Sequence, residues 1–290
     1  DVNAAMKSYR TTPLHNAAEN GHNGAVQILV AAKATVNSKD QRGYSPLHWA
    51  VERGHSDAVQ VLIDAKADVQ DQSEDGRTPL HLAIRSRHSA AVQMLVDAKA
   101  NLHVKNKYGN TLLQMAINYR HGGAVRALVN AKASFDTGDD REASLLLSAA
   151  ARGDIASLQS RANLNTRENF ESMTSLHMAA MCGHSGAVEV LVAAKADIDI
   201  KDKYGWSPLH YASENGLSGI VQVLIDANAT VDVENEGSTP LHGAVEYGYS
   251  GIVQVLIDAK ADVERSKSGD TPLRTAVWNG HTDTVQVLID

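Results

Sequence analysis

The sequence predicts an all-α repeat solenoid of helix–turn–helix units, and three observations predict it. First, the stretch Arg77-Thr78-Pro79-Leu80-His81-Leu82-Ala83 recurs, with changes, eight more times. Ser/Thr-Pro-Leu-His stands whole at Thr12, Ser45, Thr78, Ser207 and Thr239, and damaged at Thr111, Ser144, Thr174 and Thr271. The starts are 33, 33, 33, 33, 30, 33, 32 and 32 residues apart, and self-similarity at this period marks a stack of equivalent supersecondary units. Second, all six prolines (Pro13, Pro46, Pro79, Pro208, Pro240 and Pro272) fill one slot, directly after that Ser or Thr. A hydroxyl there caps the first helix, and proline suits the first helical position, where no donor is needed. Third, Ala58, Val59, Val61, Leu62, Ile63 and Ala65 make the second helix apolar on two sides. A surface helix needs one apolar stripe; two stripes require a neighbour before and a neighbour behind.

Taken in order, residues 1–11 read as the end of an earlier unit, with Asp1-Val2-Asn3 matching the turn entry Asp68-Val69. Repeats one to three (12–44, 45–77, 78–110) are regular. Repeat four (111–143) has Leu112 and Gln114 in the Pro and His slots. Repeat five, from Ser144, departs most: Leu145 and Leu147 replace Pro and His, Glu142 takes the turn glycine, and the second helix, about Ile155 to Ser160, is short. Repeats six to nine (174–206, 207–238, 239–270, 271–290) resume the pattern, with turns one residue short before Thr239 and Thr271. The expected organisation is a first subarray over 1–143 and a second over 144–290, stacked continuously, with the weakest layer near 139–173. Both ends read as cut, which points to a piece of a longer protein.

A full unit runs from Asp202 through Gly205, Ser207-Pro208-Leu209-His210 and Gly216, then Leu217 to Ala229. This resembles the ankyrin repeat, over essentially all 290 residues. The resemblance implies pairs of antiparallel helices with β-hairpin fingers projecting at right angles. It also implies a concave face, made of fingers and first helices, that binds other proteins. One departure recurs: where the family ends its second helix on glycine, this chain has Lys33, Lys66, Lys99, Lys132, Lys195 and Lys260, and Asn228 once. A non-glycine residue in the left-handed region is uncommon. The resemblance also places Asn37 at the finger asparagine that asparaginyl hydroxylases modify in related repeats.

Composition narrows the function classes. No run approaches the ~20 apolar residues of a membrane span, so direct membrane insertion is not expected. The single cysteine, Cys182, permits no internal disulfide and fits a reducing, cytoplasmic setting. Residues 1–138 hold 16 Lys and Arg against 12 Asp and Glu, net +4; residues 139–290 hold 11 against 22, net −11. An acidic half disfavours nucleic acid, whose binding rests on phosphate neutralisation, and favours basic protein partners.

Thirteen histidines invite a search for catalysis or metal. Twelve recur once per unit, in the T-P-L-H slot (His15, His48, His81, His177, His210, His242) or in the G-H slot and its equivalents (His22, His55, His88, His121, His184, His281). Repetition once per unit is the mark of structure, whereas a site needs convergent ligands. Phosphate loops, nucleophile elbows and Cys-x-x-Cys pairs are missing from the sequence. The chain therefore reads as a non-enzyme with no cofactor and no metal.

The signal for function lies in the rings. Eleven of the thirteen aromatics fall on fingers (Tyr9, Tyr44, Tyr108, Phe170, Tyr204, Trp206) or first helices (Trp49, Tyr119, Tyr211, Tyr247, Trp278). Exposed rings gathered on one face serve as interface hot spots; alternatively, a thin core expels them and they brace one another. With Glu171, Met181 and Glu214 these rings, Tyr9 apart, form the expected partner-binding set. The leading expectation is a protein–protein interaction module, a scaffold or adaptor, whose repeats six to nine receive a basic segment. The alternatives are a regulatory module attached to an effector (channel, toxin, bacterial effector or fungal receptor-type ATPase) and a structural spacer.

Overall fold

A computed structural model describes residues 1–6, 8–131, 141–159, 172–267 and 269–290, with backbone alone for 141–144. Phe170, Glu171 and Lys132 lie outside the described residues. The described chain is helical throughout and divides into two compact units, residues 1–133 and 134–290.

In the first unit, helices α1 (Pro13–Glu19), α3 (Pro46–Arg53), α5 (Pro79–Arg85) and α7 (Leu112–Asn118) pack in sequence, and so do α2 (Asn23–Ala31), α4 (Ser56–Asp64), α6 (Ser89–Asp97) and α8 (Gly122–Asn130). The second unit repeats the plan. Its first-helix layer is α9 (Arg141–Arg152), α11 (Ser175–Cys182), α13 (Pro208–Glu214), α15 (Pro240–Glu246) and α17 (Pro272–Trp278). Its second-helix layer is α10 (Ile155–Gln159), α12 (Ser185–Ala193), α14 (Ser218–Asp226), α16 (Ser250–Asp258) and α18 (Thr282–Ile289).

The two apolar stripes do what their pattern requires. The signature leucines Leu14, Leu47, Leu80, Leu176, Leu209 and Leu241 are buried, as are Val59, Val92, Val188 and Val221 in the second helices. Truncating one such leucine to alanine costs about 2–5 kcal/mol. Second helices end as the sequence indicates: Lys33, Lys66, Lys99, Lys195, Lys260 and Asn228 all have φ between 62° and 71°. At Lys66 the chain closes a Schellman motif, with Lys66 N–H donating to Ile63 O (3.0 Å) and Ala67 N–H to Leu62 O (2.9 Å).

The expected β-hairpin fingers are not seen as paired strands. Among the described residues the fingers are tight turns, with isolated antiparallel bridges at Lys105–Thr111, Asn235–Ser238 and Lys267–Asp270 in place of paired strands. Finger backbone groups also pair with the neighbouring finger, as in Glu74 N–H to Arg42 O (3.1 Å) and Gln41 N–H to Tyr9 O (3.0 Å).

Three kinds of polar link recur between neighbouring repeats. The T-P-L-H histidine reaches forward: His48 Nδ1 accepts from Ser45 N–H (3.1 Å) while Nε2 meets Arg77 O at 3.1 Å. His15 and His177 do the same toward Tyr44 O and Trp206 O. The G-H histidine reaches back, as His55 Nε2 does to Glu19 O (3.0 Å) and His184 Nε2 to Ala151 O (2.8 Å). The finger Asn, Gln or Asp accepts a backbone N–H one repeat on: Asp68 N–H to Asn37 Oδ1 (2.9 Å), Asn101 N–H to Gln70 Oε1 (2.8 Å), Thr230 N–H to Asp199 Oδ1 (2.9 Å).

Candidate functional site

In each unit the fingers and first helices carry the aromatic residues, and one finger device positions many of them. Asp40 Oδ1 accepts the backbone N–H of Arg42 (2.8 Å) and Tyr44 (2.9 Å), closing the turn, and Oδ2 accepts Trp49 Nε1–H (2.9 Å) from α3. Asp202 repeats the pattern in the second unit, taking Tyr204 N–H and Trp206 N–H (both 2.8 Å) on Oδ1 and the Tyr211 hydroxyl (2.6 Å) from α13 on Oδ2. Asn106 closes the corresponding turn of repeat four, accepting from Tyr108 N–H (2.9 Å) and Asn110 N–H (3.0 Å). The residue after that repeat's signature is Met115, which offers no donor. An aspartate five places before the capping Ser therefore goes with a ring bearing N–H or O–H just after the signature. That correlation was present in the sequence and was missed.

The expectation that the rings stand exposed holds only in part. Tyr108, Tyr119, Tyr204, Tyr247 and Trp278 are exposed, and Trp49 is half-buried. Tyr44, Trp206, Tyr211, Met181 and Glu214 are corrected: each is buried, at 5 % exposure or less. Tyr44 stacks on His48 with ring centres 5.2 Å apart, and Trp206 lies against His210 (4.9 Å) and Tyr211 (5.8 Å). These rings brace finger against helix, because the helical layers are filled by leucine, valine and alanine. Cys182 is buried too.

Two of the exposed tyrosines already carry a cation: Lys107 sits 5.1 Å from the Tyr108 ring centre and Lys203 4.8 Å from that of Tyr204. Trp278 is 85 % exposed. It borders a cleft of about 490 Å³ lined also by Glu246, Lys267, Asp270 and Arg274. Within it Arg274 Nε pairs with Asp270 Oδ1 at 2.9 Å, and Lys267 Nζ lies 3.9 Å from Glu246 Oε2.

Several histidines are held in the neutral form by hydrogen bonding and burial. Nδ1 of His15, His48 and His177 accepts a backbone N–H from the capping Ser or Thr, which fixes the neutral Nε2–H tautomer. Burial pushes His15, His48 and His242 below the ordinary histidine value, and pushes His81 and His121 down to about 4. Among the described residues no three His, Cys, Asp or Glu side chains converge as a metal ion requires, and no helix is long and apolar enough to cross a membrane. Asn37, the hydroxylation candidate, is exposed on its finger with its amide oxygen engaged by Asp68.

No curated protein matches this chain. A family model that describes ankyrin repeats in sets of three copies matches residues 1–73, 65–139, 145–235 and 219–290. The matched span, the repeating helix pair and the histidine links agree: the chain belongs to the ankyrin-repeat family.

Proposed function

We propose that this chain is a non-enzymatic protein-recognition module, a scaffold or adaptor within the cell, whose repeats six to nine receive a basic segment of a partner on fingers and first helices. Ankyrin repeats are generally protein–protein interaction modules, and that membership supports the class of work. The observation that carries the rest is Trp278, 85 % exposed in a half of the sequence with net charge −11. A large ring supplies burial area at low entropy cost, and acids steer and select a cationic partner. Tyr247 and Tyr204 extend the same face. Of these, Trp278 is the preferred seat for a partner arginine or lysine, since Tyr204 is already covered by Lys203.

The test is fluorescence polarisation of a labelled Arg/Lys-rich peptide against the full chain. Trp278→Ala is expected to weaken binding by about 1–2 kcal/mol, as interface hot spots do. Affinity also falls as salt rises, because rim charges are screened over about 8–10 Å. Unchanged binding by Trp278→Ala, with loss on changing the fingers of repeats one to three, would move the site to the first unit.

A further inference from the structure

A second cleft, of about 520 Å³, lies in the first unit between Met6, Tyr9 and Thr11 on one side and the finger and helix that carry Arg42 and Trp49 on the other. Its walls are apolar: Tyr9 is 63 % exposed, Met6 51 % exposed, and Trp49 half-buried. The Trp49 ring is held in place by its bond to Asp40. The carboxylates at its edge are spoken for: Asp40 closes its own turn and holds Trp49, and Glu19 Oε1 takes Arg53 Nη2 at 2.7 Å.

The charged side-chain donor left without a partner is that of Arg42. The Arg42 guanidinium lies 4.3 Å from the Tyr44 ring centre and 5.1 Å from that of Trp49. Arg42 is exposed, and its guanidinium has no carboxylate or hydrogen-bond partner among the described residues. The guanidinium thus lies over two rings with its donor fork unengaged, and a planar fork of this kind suits bidentate recognition of a carboxylate.

We propose that this cleft binds an acidic segment of a partner protein, seating an Asp or Glu carboxylate on Arg42 and an apolar side chain between Tyr9 and Trp49. Charge complementarity supports it: the half that holds the cleft carries net +4. A polyphosphate chain is disfavoured, because the carboxylates Glu19 and Asp40 line the cleft beside Arg42. The site is separate from the basic-segment surface of repeats six to nine and stands or falls without it.

The experiment is selection of random dodecapeptides on the immobilised full chain, run in parallel on an Arg42→Gln, Tyr9→Ser double variant. Both positions are exposed, and an unchanged melting temperature checks the fold. Sequences kept by the parent and lost by the variant are expected to be acidic and to contain Leu, Ile, Met or Phe. A labelled peptide of that kind should lose at least tenfold in affinity with Arg42→Gln, lose affinity also with Arg42→Lys because an ammonium offers no fork, and be indifferent to Trp278→Ala. Variant-dependent sequences that are basic or uncharged, or none at all, overturn the proposal. Displacement of the peptide by labelled oligothymidylate at equal affinity would instead assign the cleft to nucleic acid.

Discussion

Arg87 stands, at φ 58°, where Gly21, Gly54, Gly153, Gly216 and Gly248 stand in other repeats, and His121 one repeat on is turned relative to its counterparts. Elsewhere the glycine faces the next repeat's ring so closely that a Cβ on Gly54 would sit 2.5 Å from His88 Cε1, and one on Gly21 2.5 Å from His55 Nδ1. With a side chain already in that space, His121 gives up the Nε2–carbonyl link. It points Nδ1 at Ile84 O (3.3 Å) and Nε2 at Ser89 Oγ (2.8 Å), and is buried to 3 % exposure.

This makes Arg87→Gly informative. Burial is the main cause that lowers His121, and the Arg87 charge lowers it further. Removing that charge and reopening the slot should raise the His121 titration from about 4 toward the ordinary value of about 6.5. Proton resonances of the imidazole ring, followed against pH, report it directly. An unmoved titration would mean that Arg87 does not set the ring's orientation.

Lys66 has φ 66° in a position open to solvent. Only glycine visits that region freely, so Lys66→Gly should stabilise the first unit by roughly 1 kcal/mol in chemical denaturation. A clear loss of stability would show that Lys66 makes a contact the fold needs.

Asp40 and Trp49 supply a compensation test. Asp40→Asn sets an amide against the Trp49 N–H and should cost about 1–3 kcal/mol, the cost of a buried donor left unsatisfied. The double variant Asp40→Asn, Trp49→Met reproduces the Asn106, Met115 pair of repeat four. It should recover the part of that loss due to the mismatched donor, read as a positive coupling in a double-mutant cycle. Strict additivity would refute the pairing.

Trp206 and Trp278 should behave oppositely. Trp206 is 5 % exposed and Trp278 is 85 % exposed. Trp206→Ala should destabilise the second unit by about 3–5 kcal/mol, the range for large buried rings. Trp278→Ala should leave its unfolding midpoint in place.

Acidification should weaken the chain in a defined window. His81 and His121 keep the neutral form when folded, at about 4, while an unfolded histidine titrates near 6.5. The unfolded chain therefore binds more protons between these values, and stability falls as pH drops from about 6.5 to about 4. Melting temperatures measured across that interval should decline, and the decline should shrink in His81→Gln.

The repeat, the proline-led first helices and the left-handed lysines were all legible in the sequence, because each rests on local chemistry that recurs at a fixed spacing. The fate of the rings was only half legible. Trp206 and Tyr204 occupy recognition slots of equal standing by spacing, yet one lies against His210 in the interior and the other is exposed. Their difference lies in contacts with the following finger and helix, which no single repeat's residues encode. The turn of His121 was hidden for the same reason, since its cause sits 34 residues earlier at Arg87.

The three links between neighbours have a consequence for how such a chain changes length. Each spans close to one period: 29 residues from His48 to Arg77, 36 from Glu19 to His55, 31 from Asn37 to Asp68. A loss confined to a finger is absorbed, as where His210 meets Ser238 O across 28 residues and Asp262 N–H meets Asp232 across 30. An insertion inside a helix pair would instead move a link's donor away from its acceptor on both sides at once. Duplication of whole units would therefore preserve these links, so a chain of this plan can lengthen or shorten by complete repeats.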